Sequence, residues 1–126
     1  MWQGRIALGK IGEDLACREL ERRGYAIVAR RYRRRGGELD IVARDGPTLV
    51  FVEVKARQGC SFGGAAEAVT ALKRRRIVQL AMDYMARNHL ANCPCRFDVV
   101  SIALDTAGSP GIEVYQGAFD STGNCS

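Results

Sequence analysis

A chain of 126 residues, 47% of them hydrophobic and 26% charged, is the right size for one domain that buries roughly two-thirds of the surface its unfolded chain exposes, with no need of a stapling disulfide or metal. Its 19 Lys and Arg against 14 Asp and Glu leave a formal charge of +5, a modest excess that favours polyanionic partners. No apolar run approaches the roughly 18 residues of a membrane span, and the opening MWQGRIALGK lacks the apolar core of a signal peptide, so a cytoplasmic protein with no membrane partner is expected.

Leu8, Ile11, Leu15, Ala16 and Leu20 recur at helical spacing, and Gly24 stands where a helix stop belongs, which predicts a helix over 8–23. Winding it at about 100° per residue sets Glu13 beside Ala16 and Leu20, able to reach the core, and turns Asp14 away. YAIVARRYR (25–33) has the content of a strand and is broken by Gly36-Gly37. Strands over 38–43 and 48–55 flank RDGP, in which Asp45-Gly46 signals a hairpin and Pro47 opens the return strand. QGCSFGG reads as a glycine-rich loop. Val69, Leu72, Ile77, Leu80, Ala81 and Tyr84 predict a second helix, either capped by Thr70 or already begun at Ala65. FDVVSIAL (97–104) and the shorter IEVY (112–115) are strands, followed by a polar tail from about 116.

The hairpin decides where its charges go. A loop of two or four residues pairs even positions with odd, so that Leu39, Ile41 and Ala43 share a face with Val50, Val52 and Val54, and Asp40 and Val42 share the other with Leu49, Phe51, Glu53 and Lys55. A three-residue loop would mix the sets. The even loop yields one wholly apolar face and is preferred. It gathers two carboxylates and an ammonium at one end of a face whose Leu49, Phe51 and Val42 call for a cover, whereas a solvated face would leave Glu53 and Lys55 as decoration. In a cleft, desolvated charges need partners or a metal. Oxygen ligands suit a hard cation such as Mg²⁺, which meets substrate phosphates and polarises water, and a neighbouring lysine can orient the water or stabilise developing charge.

Arg30, Arg31, Arg33, Arg34 and Arg35 crowd around Tyr32, and Lys73, Arg74, Arg75 and Arg76 form a second block. Such clusters attract phosphates without reading sequence, a solvated face being the alternative. The five cysteines, Cys17, Cys60, Cys93, Cys95 and Cys125, are odd in number and irregularly spaced, which fits reduced thiols. Cys93-Pro-Cys95 lacks two further zinc ligands, and His89 is the only histidine.

A helix-borne Glu13, an acidic strand residue Asp40 and then Glu53-Val54-Lys55 resemble the PD-(D/E)xK nuclease superfamily. More closely, GKIGEDLA (9–16), GYAIVARRYR (24–33), GGELDIV (36–42), FVEVKAR (51–57), AVTALKRRR (68–76) and CRFDVVSI (95–102) resemble the bacterial YraN family, which is similar to Holliday-junction resolvases and has no established activity. The resemblance covers about 9–103. It implies an α/β, restriction-endonuclease-like αβββαβ core with a mixed central sheet flanked by helices, and an endonuclease acting on DNA, branched or repair intermediates included. By carry-over, Asp40 and Glu53 match the Mg²⁺ or Mn²⁺ ligands, Lys55 the catalytic lysine and Glu13 the acid near the metal. Arg31, Arg33, Arg34, Lys73 and Arg74 are then expected to meet nucleic acid, and a homodimer is expected by analogy with the resolvases. One departure is Leu39, where the superfamily's name has proline. Glu38 stays outside the core set, Gln79 is expected to be exposed, Asp98 to be structural and His89 to lie at the surface near a helix end.

Overall fold

A two-residue turn at Gly46 and Pro47, with Gly46 at a φ of 60°, sets the register of the sheet. Asp45 pairs with Thr48, and each earlier rung follows: Ala43 opposite Val50, Val42 opposite Phe51, Ile41 opposite Val52. This is the even loop that the apolar pattern favours. The computed structural model describes residues 2–58, 69–104 and 111–124. It has the order α1 (Trp2–Arg22), β1 (Ala26–Arg34), β2 (Gly37–Asp45), β3 (Thr48–Gln58), α2 (Ala71–Arg87), β4 (Cys95–Leu104) and β5 (Gly111–Phe119). The strands lie in that order across one sheet. β1, β2 and β3 are antiparallel neighbours, β3 and β4 are parallel and joined through α2, and β5 returns antiparallel to β4. The fold is the mixed, helix-flanked sheet of a restriction-endonuclease-like core, with β5 as an added edge.

Each face of the sheet carries its own core. Ile41, Ala43, Val50, Val52, Val100 and Ile102 pack with Ala16, Cys17 and Leu20 of α1. Val42, Leu49, Phe51, Phe97 and Val99 pack with Ile77, Leu80, Ala81, Tyr84 and Met85 of α2. Burial of these side chains at about 25 cal/mol per Å² is the main term holding the helices to the sheet. Thr70 caps α2, its hydroxyl accepting the Lys73 N–H at 3.2 Å, so the helix begins at Ala71; Ala65 lies outside the described residues.

Several sequence expectations need correction. Leu39 joins the α2-side core rather than that of Ile41 and Ala43, as does its β1 partner Tyr32; the regular alternation is interrupted between the Arg30–Ile41 and Tyr32–Leu39 rungs, where Arg31 has a left-handed φ of 54°. Ile11 and Leu72, placed in apolar stripes by spacing, are 48% and 52% exposed. Helix α1 starts six residues before position 8. Residues 116–119 are strand, not tail: Phe119 stacks on Phe97 with ring centroids 5.1 Å apart. Asp98 is fully buried and accepts hydrogen bonds from Tyr25 Oη, from Arg96 and from the Gly117 N–H, the structural role expected of a buried carboxylate with every lone pair engaged. His89 and Gln79 are exposed. Most of the glycine-rich loop, with Cys60, and Cys125 lie outside the described residues. Cys17, Cys93 and Cys95 are free thiols. Among the described residues, no helix is long and apolar enough to cross a membrane.

Candidate functional site

At Asp40 the β2–β3 ladder changes its chemistry. The last backbone rung is Ile41 with Val52, and the Val54 N–H next donates to the side-chain Oδ2 of Asp40 at 2.8 Å. A carboxylate thus replaces a carbonyl as the acceptor, and the strands part around it. Glu53, between these rungs on β3, is 3% exposed. Its carboxylate lies against Asp40, close enough for charge and hydrogen bonding both to act on it. Burial first, and the Glu53 charge second, push the Asp40 carboxyl up to about 8, against the pull of the Val54 N–H and of Lys73. The Lys73 ammonium, in the first turn of α2, donates to Glu53 Oε2 at 2.6 Å.

Glu13 reaches the cleft from α1 because α1 runs very close to β3. A Cβ added at Gly12 would stand 2.6 Å from the Cβ of Ala56, so only glycine fits there. Glu13 is buried, and its two oxygens accept from Arg30 Nε at 2.8 Å and Arg31 Nε at 3.2 Å. Consecutive residues of a strand normally point to opposite faces. Arg31 departs from that rule through a left-handed backbone, φ 54°, which a non-glycine residue adopts only where the surroundings impose it. Arg30 also donates to Asp14 at 2.7 Å.

Asp40 forms a wall between two cavities. One, about 490 Å³, is lined by Glu13, Arg31, Arg33, Glu38, Asp40 and Lys55 among others. The other, about 290 Å³, lies toward α2 and is lined by Gly37, Asp40, Lys73, Arg76 and Leu80 among others. Lys55 is half-buried and makes no ion pair among the described residues. The structure therefore brings Asp40 and Glu53 together and sets Glu13 and Lys55 in one groove with Asp40. Among the described residues no three His, Cys, Asp or Glu side chains form a metal cluster. Two adjacent carboxylates still fit Mg²⁺, which is commonly held by one or two carboxylates with waters and substrate phosphates completing its shell. The Lys73 ammonium already demonstrates that Glu53 attracts a cation.

The five residues expected to meet nucleic acid are placed unequally. Arg33 and Arg34 are exposed and make surface pairs with Glu38 at 3.3 Å and Asp83 at 3.5 Å. Arg31 and Lys73 are engaged with Glu13 and Glu53. Arg74 donates to the carbonyls of Val69 at 2.5 Å and Gly123 at 2.6 Å, clamping the chain's last described turn to the start of α2. Sequence reasoning missed Arg30 and Lys73 as partners of the site carboxylates. The signal available for Lys73 is its position just after the N-cap of the helix that crosses over from β3.

A family model described as "Uncharacterised protein family UPF0102" matches residues 12–102. A UPF0102 protein of Geobacter sulfurreducens is 47% identical over 113 residues, 90% of this chain and 88% of its own. One of Symbiobacterium thermophilum is 46% identical over 112 residues, covering 89% and 95% of the two chains. One of Frankia alni is 48% identical over 117 residues, covering 93% and 98%.

Proposed function

The chain belongs to the uncharacterised family UPF0102, and from that premise we propose that it is a metal-dependent endonuclease-like protein acting on DNA phosphodiester bonds, branched or repair intermediates among its substrates. The observation that carries this reading is the Asp40–Glu53 pair, two carboxylates side by side where β2 and β3 part. Glu53 is buried and Asp40 half-buried; neighbouring carboxylates so desolvated repel, and a proton or a cation is needed to relieve the charge. Asp40 and Glu53 would hold Mg²⁺ or Mn²⁺, which when bound polarises a phosphate and acidifies a water.

The chain's own residues supply the rest. Lys55 carries an ammonium into the groove that Asp40 lines, where it can orient water or stabilise negative charge developing on phosphate oxygens. Glu13, held in one orientation by Arg30 and Arg31, offers fixed acceptors to water. Lys73 occupies Glu53, so a cation held by that carboxylate would displace its ammonium and leave it beside the site. The resemblance to PD-(D/E)xK nucleases supports these roles.

A second reading, a nucleic-acid-binding module that retains the nuclease fold without the chemistry, is favoured by one observation: the Lys73 ammonium, 2.6 Å from Glu53 Oε2, is itself a countercharge for that carboxylate. An assay over branched and linear DNAs with Mg²⁺ or Mn²⁺ separates the two. A nuclease cleaves, and its Lys55→Ala variant binds without cleaving. Binding with no cleavage by the parent under any of these conditions would leave the module.

A further inference from the structure

Lys73, Arg76, Leu80, Asp83 and Arg87 are spaced three and four residues apart along α2, so they form one stripe on the helix. Two cavities meet beneath it. The cavity that starts at Asp40 passes Lys73 to Arg76 and Leu80. A neighbouring one, about 240 Å³, shares Gly36, Arg76 and Leu80 with it and continues to Arg34, Arg35 and Arg87. This far cavity gathers four guanidinium groups against a single carboxylate, Asp83. Asp83 is already satisfied: Tyr32 Oη donates to it at 2.7 Å, Arg87 Nε at 3.0 Å, and Arg34 lies at 3.5 Å. Arg35 and Arg76 are exposed and make no ion pair among the described residues.

Four guanidiniums with one neutralised carboxylate leave unbalanced positive charge in a concave site, and the planar fork of arginine matches phosphate oxygens two at a time. We propose that this arginine cavity is a phosphate subsite that holds the nucleic-acid backbone at a distance from the Asp40–Glu53 pair, with Arg35 and Arg76 as its contacting residues. The proposal rests on reading the cleft as a nucleic-acid site and adds where the strand runs from it. From Lys73 the helix rises about 4.5 Å to Arg76 and about 21 Å to Arg87, at 1.5 Å per residue, which matches about one to six base pairs of duplex at 3.4 Å each along its axis. A strand with one phosphate beside Asp40 therefore enters the cavity at Arg76 and passes its far end at Arg87 within about six nucleotides.

The test is fluorescence anisotropy of the full chain with a labelled 20-base-pair DNA duplex in EDTA, at salt concentrations from 50 to 200 mM. Arms with single-stranded DNA and with an RNA duplex of the same length distinguish the source of the phosphate. Replacing Arg35 and Arg76 together by Gln should weaken duplex binding at least tenfold at the lowest salt and reduce the log–log salt slope by about 1.8, two contacts at 0.9 each. Replacing both by Lys should keep the slope. Both positions are exposed, and matched melting temperatures verify that the variants fold. A Gln pair with parental affinity and slope overturns the subsite, and if Lys55→Ala still abolishes cleavage in that case, the nuclease reading stands without it. A parent that binds polyglutamate as tightly as DNA also overturns it, since the cavity is then a general anion sink. A parent that binds none of the nucleic acids removes both readings.

Discussion

Lys73 Nζ lies 2.6 Å from Glu53 Oε2, so a helix outside the sheet supplies the countercharge of a carboxylate that is only 3% exposed. Removing one partner of such a pair leaves an uncompensated buried charge, a loss of several kcal/mol when both partners are deeply buried. Lys73 is itself about half exposed, so solvent screens part of the pair and a loss of about 1 to 3 kcal/mol is expected for Lys73→Met. With the competing ammonium gone, Mg²⁺ should stabilise the variant more than the parent. Thermal melts in EDTA and in millimolar Mg²⁺ check both effects. A variant as stable as the parent, with the same response to Mg²⁺, would mean that the pair contributes nothing.

Asp40 makes the stability of the metal-free protein depend on pH in a direction opposite to most carboxylates. Its folded carboxyl is pushed up to about 8, against about 3.9 in an unfolded chain. Between those values the folded state holds a proton that the unfolded state has released. This contribution is complete below about pH 4 and is lost as pH rises through about 8, at up to about 1.4 kcal/mol per pH unit. Asp40→Asn keeps an oxygen for the Val54 N–H and removes the titration. Its stability relative to the parent should therefore rise by on the order of 2 to 4 kcal/mol between pH 5 and pH 8 in EDTA. Urea unfolding at the two pH values measures this; a difference that stays flat rules out the raised carboxyl. The variant should also lose most of the Mg²⁺-induced rise in Tm.

Gly12→Ala tests whether close approach of α1 positions Glu13. The new Cβ would lie 2.6 Å from a Cβ fixed to the β3 backbone, and neither side can yield by rotating a side chain. Alanine is the better helix former by roughly 1 kcal/mol, yet the overpacking should outweigh this and leave the variant about 1 to 2 kcal/mol less stable. Denaturant melts give the sign at once, since a stabilised variant would mean that the helix can move away freely.

What could be read from the sequence was set by local chemistry. Asp45-Gly46 chose a tight turn, and parity from that turn put Val42, Leu49 and Phe51 on one face; helical winding brought Glu13 toward the core. The face of Leu39 was not legible because parity assumes regular strands, and the β1–β2 pair is irregular between the Arg30–Ile41 and Tyr32–Leu39 rungs, where Arg31 is left-handed. The end of β5 was hidden by Gly117, whose φ of 58° interrupts the alternation while Ala118 and Phe119 still reach the core. Lys73 read as one more basic residue in a run, since a run of charge carries no record of which member meets a carboxylate twenty residues away in sequence. Arg31's left-handed backbone had no sequence signal, because arginine has no preference for it.

That backbone gives the last prediction. Arg31 at φ 54° carries a strain that glycine would not, about 1 kcal/mol for an ordinary side chain in the left-handed region. Its guanidinium returns something by donating to Glu13 at 3.2 Å, a half-exposed pair of modest strength beside the shorter bond from Arg30. Arg31→Ala keeps the strain and loses the pair. Arg31→Gly loses the pair and the strain together, although glycine also loses more chain entropy on folding. The glycine variant should be the more stable of the two, by roughly 0.5 to 1 kcal/mol, and both should hold Glu13 through Arg30. Equal stabilities in urea unfolding would show that the strand relaxes once the guanidinium is gone, and that the grip on Glu13, rather than the path of the chain, imposes the left-handed turn.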